Sequence, residues 1–436
     1  MERLFYPVSA QIELTEACNQ KCQHCYNFWR YDSKILKKDE MNIDDFMIVL
    51  DKLHECGVSL LTLTGGEPLL RPEIFFALLN QAKKYDMEVG LNSNAVLINK
   101  ENAKRMYENG LDHALISLIG IEKTHNSISN LANGFKNTCK GIANLVEAGI
   151  GVSVNMVVSK LNQNEVYQVG SLVKDLGVKT FCVTPMVPSH SSHSQYLLSG
   201  NECKNSLLTL LKTKNDFGFN IDTLEPIARC LFNEDEDDQF INFFGNRICS
   251  AAISSCAISS RGNVRPCIHS DKEFGNILSD DLSKIWERMS FWSSPDILPE
   301  KCRQCNANII CEGGCRMSAK LINGQYNGKD RYMTEPIMDF KRINKLPQRK
   351  NIDFNNNTLL KINDHTRFRK EKFGWVVYVY SNLEFCTDSG YDFIYKLYNK
   401  TSFTVVDLVE EFKLSEDLIV SILSKLINNK IIMLIN

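Results

Sequence analysis

The chain has 436 residues, 44% hydrophobic and 23% charged, with 50 Lys+Arg against 52 Asp+Glu; at about 100–200 residues per domain, this fits roughly two to four domains. The composition excludes intrinsic disorder and collagen, and a formal net charge of −2 gives no basic field for nucleic acid or an anionic membrane. Met1-Glu2-Arg3-Leu4 opens no signal-peptide core and no stretch is apolar enough to span a bilayer, so a cytoplasmic protein is expected.

From residue 10 to 184, β-rich apolar runs alternate with helical spacing. Strands are expected at 10–14, 59–64, 87–92, 113–118, 151–158 and 179–184. Asn42-Ile43-Asp44-Asp45 reads as a helix N-cap with early acids, and Phe46, Val49, Leu50 and Leu53 form an apolar stripe behind it. Pro72 opens a second helix carrying Ile74, Ala77, Leu78 and Ala82. Further helices are expected at 135–148 and 165–176, stopped by Gly149 and Gly177. Six strands with intervening helices make an α/β fold, a parallel sheet open or curled into a partial barrel. Its ligands belong at the carboxyl ends of the strands. The first domain is therefore set at 1–190.

Residues 191–248 show no clear period and are taken as a connecting segment, with the acidic run at 234–238 as a solvated loop. A cysteine-rich segment follows at 249–340, then a polar linker at 341–359. Residues 360–436 read as a small module: a strand at 375–380, amphipathic helices at 388–398, 405–412 and 416–428, and a closing strand at 431–434.

Cysteine is the unusual quantity: 16 of 436 residues, well below the roughly 8–10% of a disulfide scaffold. Where thiols are kept reduced, grouped cysteines bind metal or do chemistry. Three lie between Cys18 and Cys25 and seven between Cys249 and Cys315. The other six, Cys56, Cys139, Cys182, Cys203, Cys230 and Cys386, read as small buried hydrophobes.

Cys18-x3-Cys22-x2-Cys25, followed by Tyr26, puts three thiols on one short loop after the first strand. Structural zinc takes four ligands; three thiolates on a [4Fe–4S] cluster leave one iron for an exogenous ligand. With Gly65-Gly66-Glu67-Pro68 after the second strand and Asn92-Ser93-Asn94 after the third, the pattern resembles the radical SAM superfamily. The resemblance implies a SAM-binding [4Fe–4S] cluster on Cys18, Cys22 and Cys25. It implies S-adenosylmethionine contacts at Gly65, Gly66, Glu67, Pro68, Asn92, Ser93, Asn94, Ser117 and Asn155, the Glu67 carboxylate accepting the SAM amino group. The Asp often seen after the fourth strand is replaced by Ile119, which receives no role, and His125 reads as a structural cap.

Cys249, Gly262 and Cys267, then Cys302-x2-Cys305-x5-Cys311-x3-Cys315, resemble the SPASM domain, a radical SAM extension with two auxiliary clusters. By resemblance, Cys249, Cys267 and Cys315 hold auxiliary cluster I, and Cys302, Cys305 and Cys311 hold auxiliary cluster II. Each lacks a fourth cysteine. Cys256, and after it Cys230, are candidates for the first. For the second, the family's seventh cysteine past Cys315 is absent, leaving an oxygen ligand such as Asp330, an open iron or a degenerate site.

The C-terminal module resembles the PqqD-like fold, or RiPP recognition element, which binds a leader peptide by strand addition. RiPPs are ribosomally made peptides modified after synthesis. The combined resemblance implies a peptide maturase that forms a 5′-deoxyadenosyl radical and makes a thioether or other crosslink, or epimerises a residue. Its partners would be a precursor peptide and a reductant such as flavodoxin or ferredoxin. The alternatives are oxidation of a Cys or Ser in a protein substrate, as in sulfatase maturation, or of a small metabolite. A non-enzymatic leader-binding protein fits poorly with intact Cys18, Cys22 and Cys25. No general base stands out.

Overall fold

The computed structural model describes residues 3–27, 40–232, 244, 247–338, 354–380 and 382–435. The acidic run at 234–238 and most of the 341–359 linker lie outside the described residues.

Seven parallel strands stand side by side in chain order: β1 (Ser9–Glu13), β2 (Leu60–Thr64), β3 (Glu88–Ser93), β4 (His113–Ser117), β5 (Gly151–Val158), β6 (Thr180–Pro185) and β7 (Asn220–Asp222). Beyond β1, β8 (Ser255–Ile258) adds in parallel and β9 (Val264–Arg265) pairs antiparallel with β8. The nine strands form the sheet of a partial barrel. The first six lie within one residue of their expected positions.

The connecting helices are α1 (Ile43–Glu55), α2 (Pro72–Lys84), α3 (Lys100–Glu108), α4 (Glu122–Ser129), α5 (Gly134–Glu147), α6 (Val166–Asp175) and α7 (Gly200–Phe217). At α1, Asn42 accepts from the Asp44 and Asp45 amides and Asp45 closes the box on the Asn42 amide. Its expected stripe, Phe46, Val49, Leu50 and Leu53, is wholly buried, each side chain contributing about 1.5–3 kcal/mol. The described residues of 191–248 carry more regular structure than the sequence suggests. It contains the 18-residue α7, capped reciprocally by Ser199 and Glu202, and then β7 at the sheet edge.

Period-two alternation divides the barrel wall. Ala114, Ile116, Val154, Met156, Phe181 and Val183 point into the hydrophobic core beneath the helices. His113, Leu115 and Ser117 from β4, Ser153, Asn155 and Val157 from β5, and Thr180, Cys182 and Thr184 from β6 line the concave side.

The cysteine-rich segment adds α8 (Leu282–Arg288) and three short helices, α9 (Glu300–Arg303), α10 (Asn308–Cys311) and α11 (Arg316–Asn323). The C-terminal module has two small sheets. β10 (Leu360–Ile362) pairs with β14 (Ile432–Leu434), and β11 (Arg367–Glu371), β12 (Gly374–Val379) and β13 (Asn382–Cys386) form an antiparallel meander. Helices α12 (Asp388–Tyr398), α13 (Val405–Phe412) and α14 (Glu416–Asn428) complete it.

One face of the meander sits on the barrel at the end where the strands begin. Arg369 donates to the Cys56 and Tyr6 carbonyls at 3.1 and 2.8 Å, Arg367 to the Val58 carbonyl at 3.1 Å, and Tyr378 to the Gly57 carbonyl at 2.9 Å. Val376 and Tyr378 bury against Leu4 and Val8. The opposite face carries α12, with Trp375 stacked on Tyr391 at 3.7 Å between centroids. Both faces are covered, and among the described residues no strand pairs with the outer edge of β11 or β13.

Candidate active site

A cavity of about 590 Å³ occupies the concave side and the strands' carboxyl ends. Cys18, Cys22 and Cys25 line it, together with Gly65, Gly66, Asn92, Ser93, Asn94, Ser117 and Asn155. Seven of the nine expected SAM-contact residues therefore surround the three thiols. Asn94 reaches the cysteine loop directly, donating to Asn19 Oδ1 at 2.7 Å, and Asn155 accepts from Thr184 at 2.8 Å.

Glu67 and Pro68 do not line the cavity. The Glu67 carboxylate is wholly buried and accepts from the Ser93 hydroxyl at 2.9 Å, the Asn94 amide at 3.0 Å and the Leu69 amide at 3.2 Å. Burial raises its pKa, which these hydrogen bonds partly offset. Its geometry is that of a brace behind Ser93 and Asn94.

The two glycines also pack tightly against the chain leading into the cysteine loop. A Cβ on Gly66 would fall 1.9 Å from the Ala17 carbonyl oxygen, and one on Gly65, at φ +130°, 2.6 Å from that of Thr15. The Gly66 amide donates to the Thr15 carbonyl at 2.7 Å and the Glu67 amide to that of Ala17 at 2.8 Å. The bare backbone thus clamps the chain just before Cys18.

Cys249, Cys267 and Cys315 line the same cavity. Burial pushes the Cys249 and Cys267 thiols up to about 11 and about 12. Ligation to iron reverses that, because a coordinating thiol is deprotonated outright. A buried ion pair links β9 to β1: Arg265, two residues before Cys267, meets Glu13 at 2.5 Å, both side chains 1% exposed. A second pair joins Arg261 to Glu16 at 3.1 Å.

Cys256 also borders the cavity, but from β8, where it pairs with Ala10 and is 2% exposed. Its titratable neighbour is Cys56, whereas the thiols of Cys249, Cys267 and Cys315 face Glu225. Glu225 and His269 are functional candidates that no sequence motif singles out. His269 Nε2 lies 2.9 Å from Glu225 and its ring packs 4.9 Å from that of Tyr26. Burial would raise the Glu225 pKa, but His269, Arg247 and Cys315 bring it below the usual value. The one local signal is the position of His269, two residues after Cys267.

The other thiols occupy a second, smaller cavity, lined by Cys302, Cys305 and Cys311 with Arg229, Cys230, Met333 and Thr334. Glu312, Gly313 and Gly314 have φ of +48°, +76° and +78°. This left-handed run separates Cys311 from Cys315, so each serves a different cavity. Asp330 lines neither; its buried carboxylate accepts from the Tyr332 amide at 2.8 Å and packs on Gly314.

Among the described residues, no three His, Cys, Asp or Glu side chains close on a single metal ion. One zinc ion would require that closure, while a cluster of four irons spreads its thiolates over separate atoms. The thiol-only donor sets fit iron–sulfur clusters, which are held by cysteine thiolates.

Comparison with known proteins agrees with this donor chemistry. Residues 12–173 match the radical SAM superfamily and residues 249–306 the SPASM iron-sulfur cluster-binding domain. The chain contains a radical SAM domain and a SPASM domain. It is an enzyme using S-adenosylmethionine and iron–sulfur clusters for radical chemistry. It is 26% identical to an AdoMet-dependent heme synthase of Methanosarcina barkeri, over 73% of this chain and 94% of that protein. It is 28% identical to the antilisterial bacteriocin subtilosin biosynthesis protein AlbA of Bacillus subtilis, over 74% and 70%. The structure of Streptococcus suis SuiB bound to precursor peptide SuiA superposes with a TM-score of 0.60 at 19% identity, over 75% and 76%. Among the described residues no helix is long and apolar enough to cross a membrane.

Proposed function

We propose that this enzyme matures a ribosomally made precursor peptide, introducing a thioether or other crosslink or inverting a residue. Cys18, Cys22 and Cys25 would hold the cluster that binds SAM. Asn92, Ser93, Asn94, Ser117, Asn155 and the backbone at Gly65 and Gly66 would surround the SAM. Bound there, SAM supplies the 5′-deoxyadenosyl radical that removes a hydrogen from an unactivated C–H bond.

The concave barrel wall would seat the substrate beside both thiol sets, which line the same cavity. Cys249, Cys267 and Cys315 would hold an auxiliary cluster bordering the same cavity, where it could accept an electron from the substrate or ligate it. Glu225 and His269 border this cavity and are the candidates for moving a proton there.

The C-terminal module carries the peptide reading. It lies outside both matched domains, its sheet faces are covered, and what remains open is strand edge. An open edge suits an extended peptide, which gains main-chain hydrogen bonds by adding a strand. We assign the module as PqqD-like on this ground. The likeness to a bacteriocin biosynthesis protein supports the same substrate class. A small-metabolite reading draws on the heme synthase match, but it gives the module no part to play.

The test is anaerobic incubation with SAM, reductant and a candidate precursor peptide, such as any short peptide encoded beside the gene. Alongside 5′-deoxyadenosine, a crosslink is expected to show as leader-dependent loss of two hydrogens from the peptide, and an inverted residue as one deuterium gained from D2O. SAM cleavage stimulated by a tetrapyrrole and indifferent to any such peptide would overturn the proposal.

A further inference from the structure

The smaller cavity holds a fourth thiol that the cysteine pattern does not announce. Cys230 lies on the short turn Arg229–Leu231, in the stretch after β7. It lines the cavity with Cys302, Cys305 and Cys311. Three of the four sulfurs accept backbone amides: Cys230 from Thr334 at 3.2 Å, Cys305 from Ile337 at 3.3 Å and Cys311 from Arg229 at 3.2 Å. Amide bonds of this kind stabilise thiolate on cluster sulfur and tune its potential.

The segment carrying Cys230 is anchored from both sides. Arg229 donates to Cys311, and the Thr334 hydroxyl donates to the Cys230 carbonyl. Two other groups compete for the role. Asp330 points elsewhere, held by the Tyr332 amide and packed on Gly314. Met333 does reach the cavity, its sulfur 3.3 Å from Cys302 Sγ, but a thioether is neutral and iron–sulfur clusters are held by thiolates.

We propose that Cys230 is the fourth ligand of auxiliary cluster II, completing a Cys230/Cys302/Cys305/Cys311 cage. This rests on the iron–sulfur reading of the second thiol set. Four thiolates saturate the four irons of a cubane, so the cluster has no site for substrate. Its role is then to pass electrons and to pin residues 228–230 to the cysteine-rich domain. Direct ligation of substrate is left to the set lining the large cavity.

The test is iron and sulfide counting with EPR on the full-length protein, reconstituted anaerobically, for wild type, Cys230→Ala, Cys230→Ser, Met333→Leu and Cys256→Ala. Cys230→Ala is expected to lose up to about four irons per chain, or to give a [3Fe–4S] EPR signal on mild oxidation. Cys230→Ser keeps the volume and can ligate through oxygen, so it should keep more iron and shift the EPR of the reduced cluster. Met333→Leu and Cys256→Ala should match wild type.

Wild-type iron content and an unchanged EPR spectrum in both Cys230 variants would overturn the proposal, as would iron loss from Met333→Leu with Cys230→Ala intact. If Cys230→Ala does not fold, the Cys230→Ser spectrum decides alone. Failure of the wild type to make 5′-deoxyadenosine would count against the proposed function and not against this ligand.

Discussion

The two cysteine-lined cavities differ in a way that separates two jobs. The large one is open and polar on its barrel side, and two sets of three thiols, Cys18/Cys22/Cys25 and Cys249/Cys267/Cys315, are among its lining residues. The small one brings four thiols together beside Met333 and Ala228. Three-thiol sets leave a coordination position for a reactant, and a four-thiol set does not. On the proposed ligand sets, reactive metal would lie where substrate can enter and the other centre would be shielded.

The largest expected effect is on the loop of the large cavity. Cys18→Ala/Cys22→Ala/Cys25→Ala should reduce 5′-deoxyadenosine to the no-enzyme background by chromatography; persistent formation would break the division at its root. Cys267→Ala should cut modified peptide by more than about tenfold, about 1.4 kcal/mol or more in barrier terms, while SAM cleavage continues uncoupled. Equal loss of both would mean that the two thiol sets do not have separate roles.

Next in size is the ion pair between β9 and β1. Arg265→Leu strands the Glu13 carboxylate, whose pKa burial already raises against the pull of Arg265. The expected cost is about 3–5 kcal/mol, read from anaerobic thermal unfolding. The smallest effect is expected at Gly314→Ala. Its φ of +78° and an Asp330 carbon 3.1 Å from the new Cβ should cost about 1–2 kcal/mol, with some loss of iron from both cavities.

Spacing makes the cysteine groups and the barrel strands legible, because both are local patterns: three thiols in one loop, apolar runs five to eight residues long. What escapes a sequence reading depends on partners distant along the chain. The Glu67 carboxylate, adjacent to the glycines, also holds Ser93 and Asn94 from the neighbouring strand. Cys230 has no cysteine within the usual motif distance and gains meaning only when Cys311 folds beside Arg229. The helix α7 is a different case, since its signals are local: Ser199 and Glu202 form a capping box ahead of a helical apolar stripe. The acidic run that follows obscures that pattern in the segment as a whole.

The C-terminal module and the large cavity lie at opposite ends of the barrel strands. β1 spans five residues, which at about 3.3 Å each makes the wall roughly 17 Å high. A peptide held at an edge of the meander must run at least that far before any of its residues meets the reacting atoms. The fold then acts as a ruler: side chains within about five extended residues of the bound segment are out of reach, and lengthening the intervening stretch moves the modified position along the peptide.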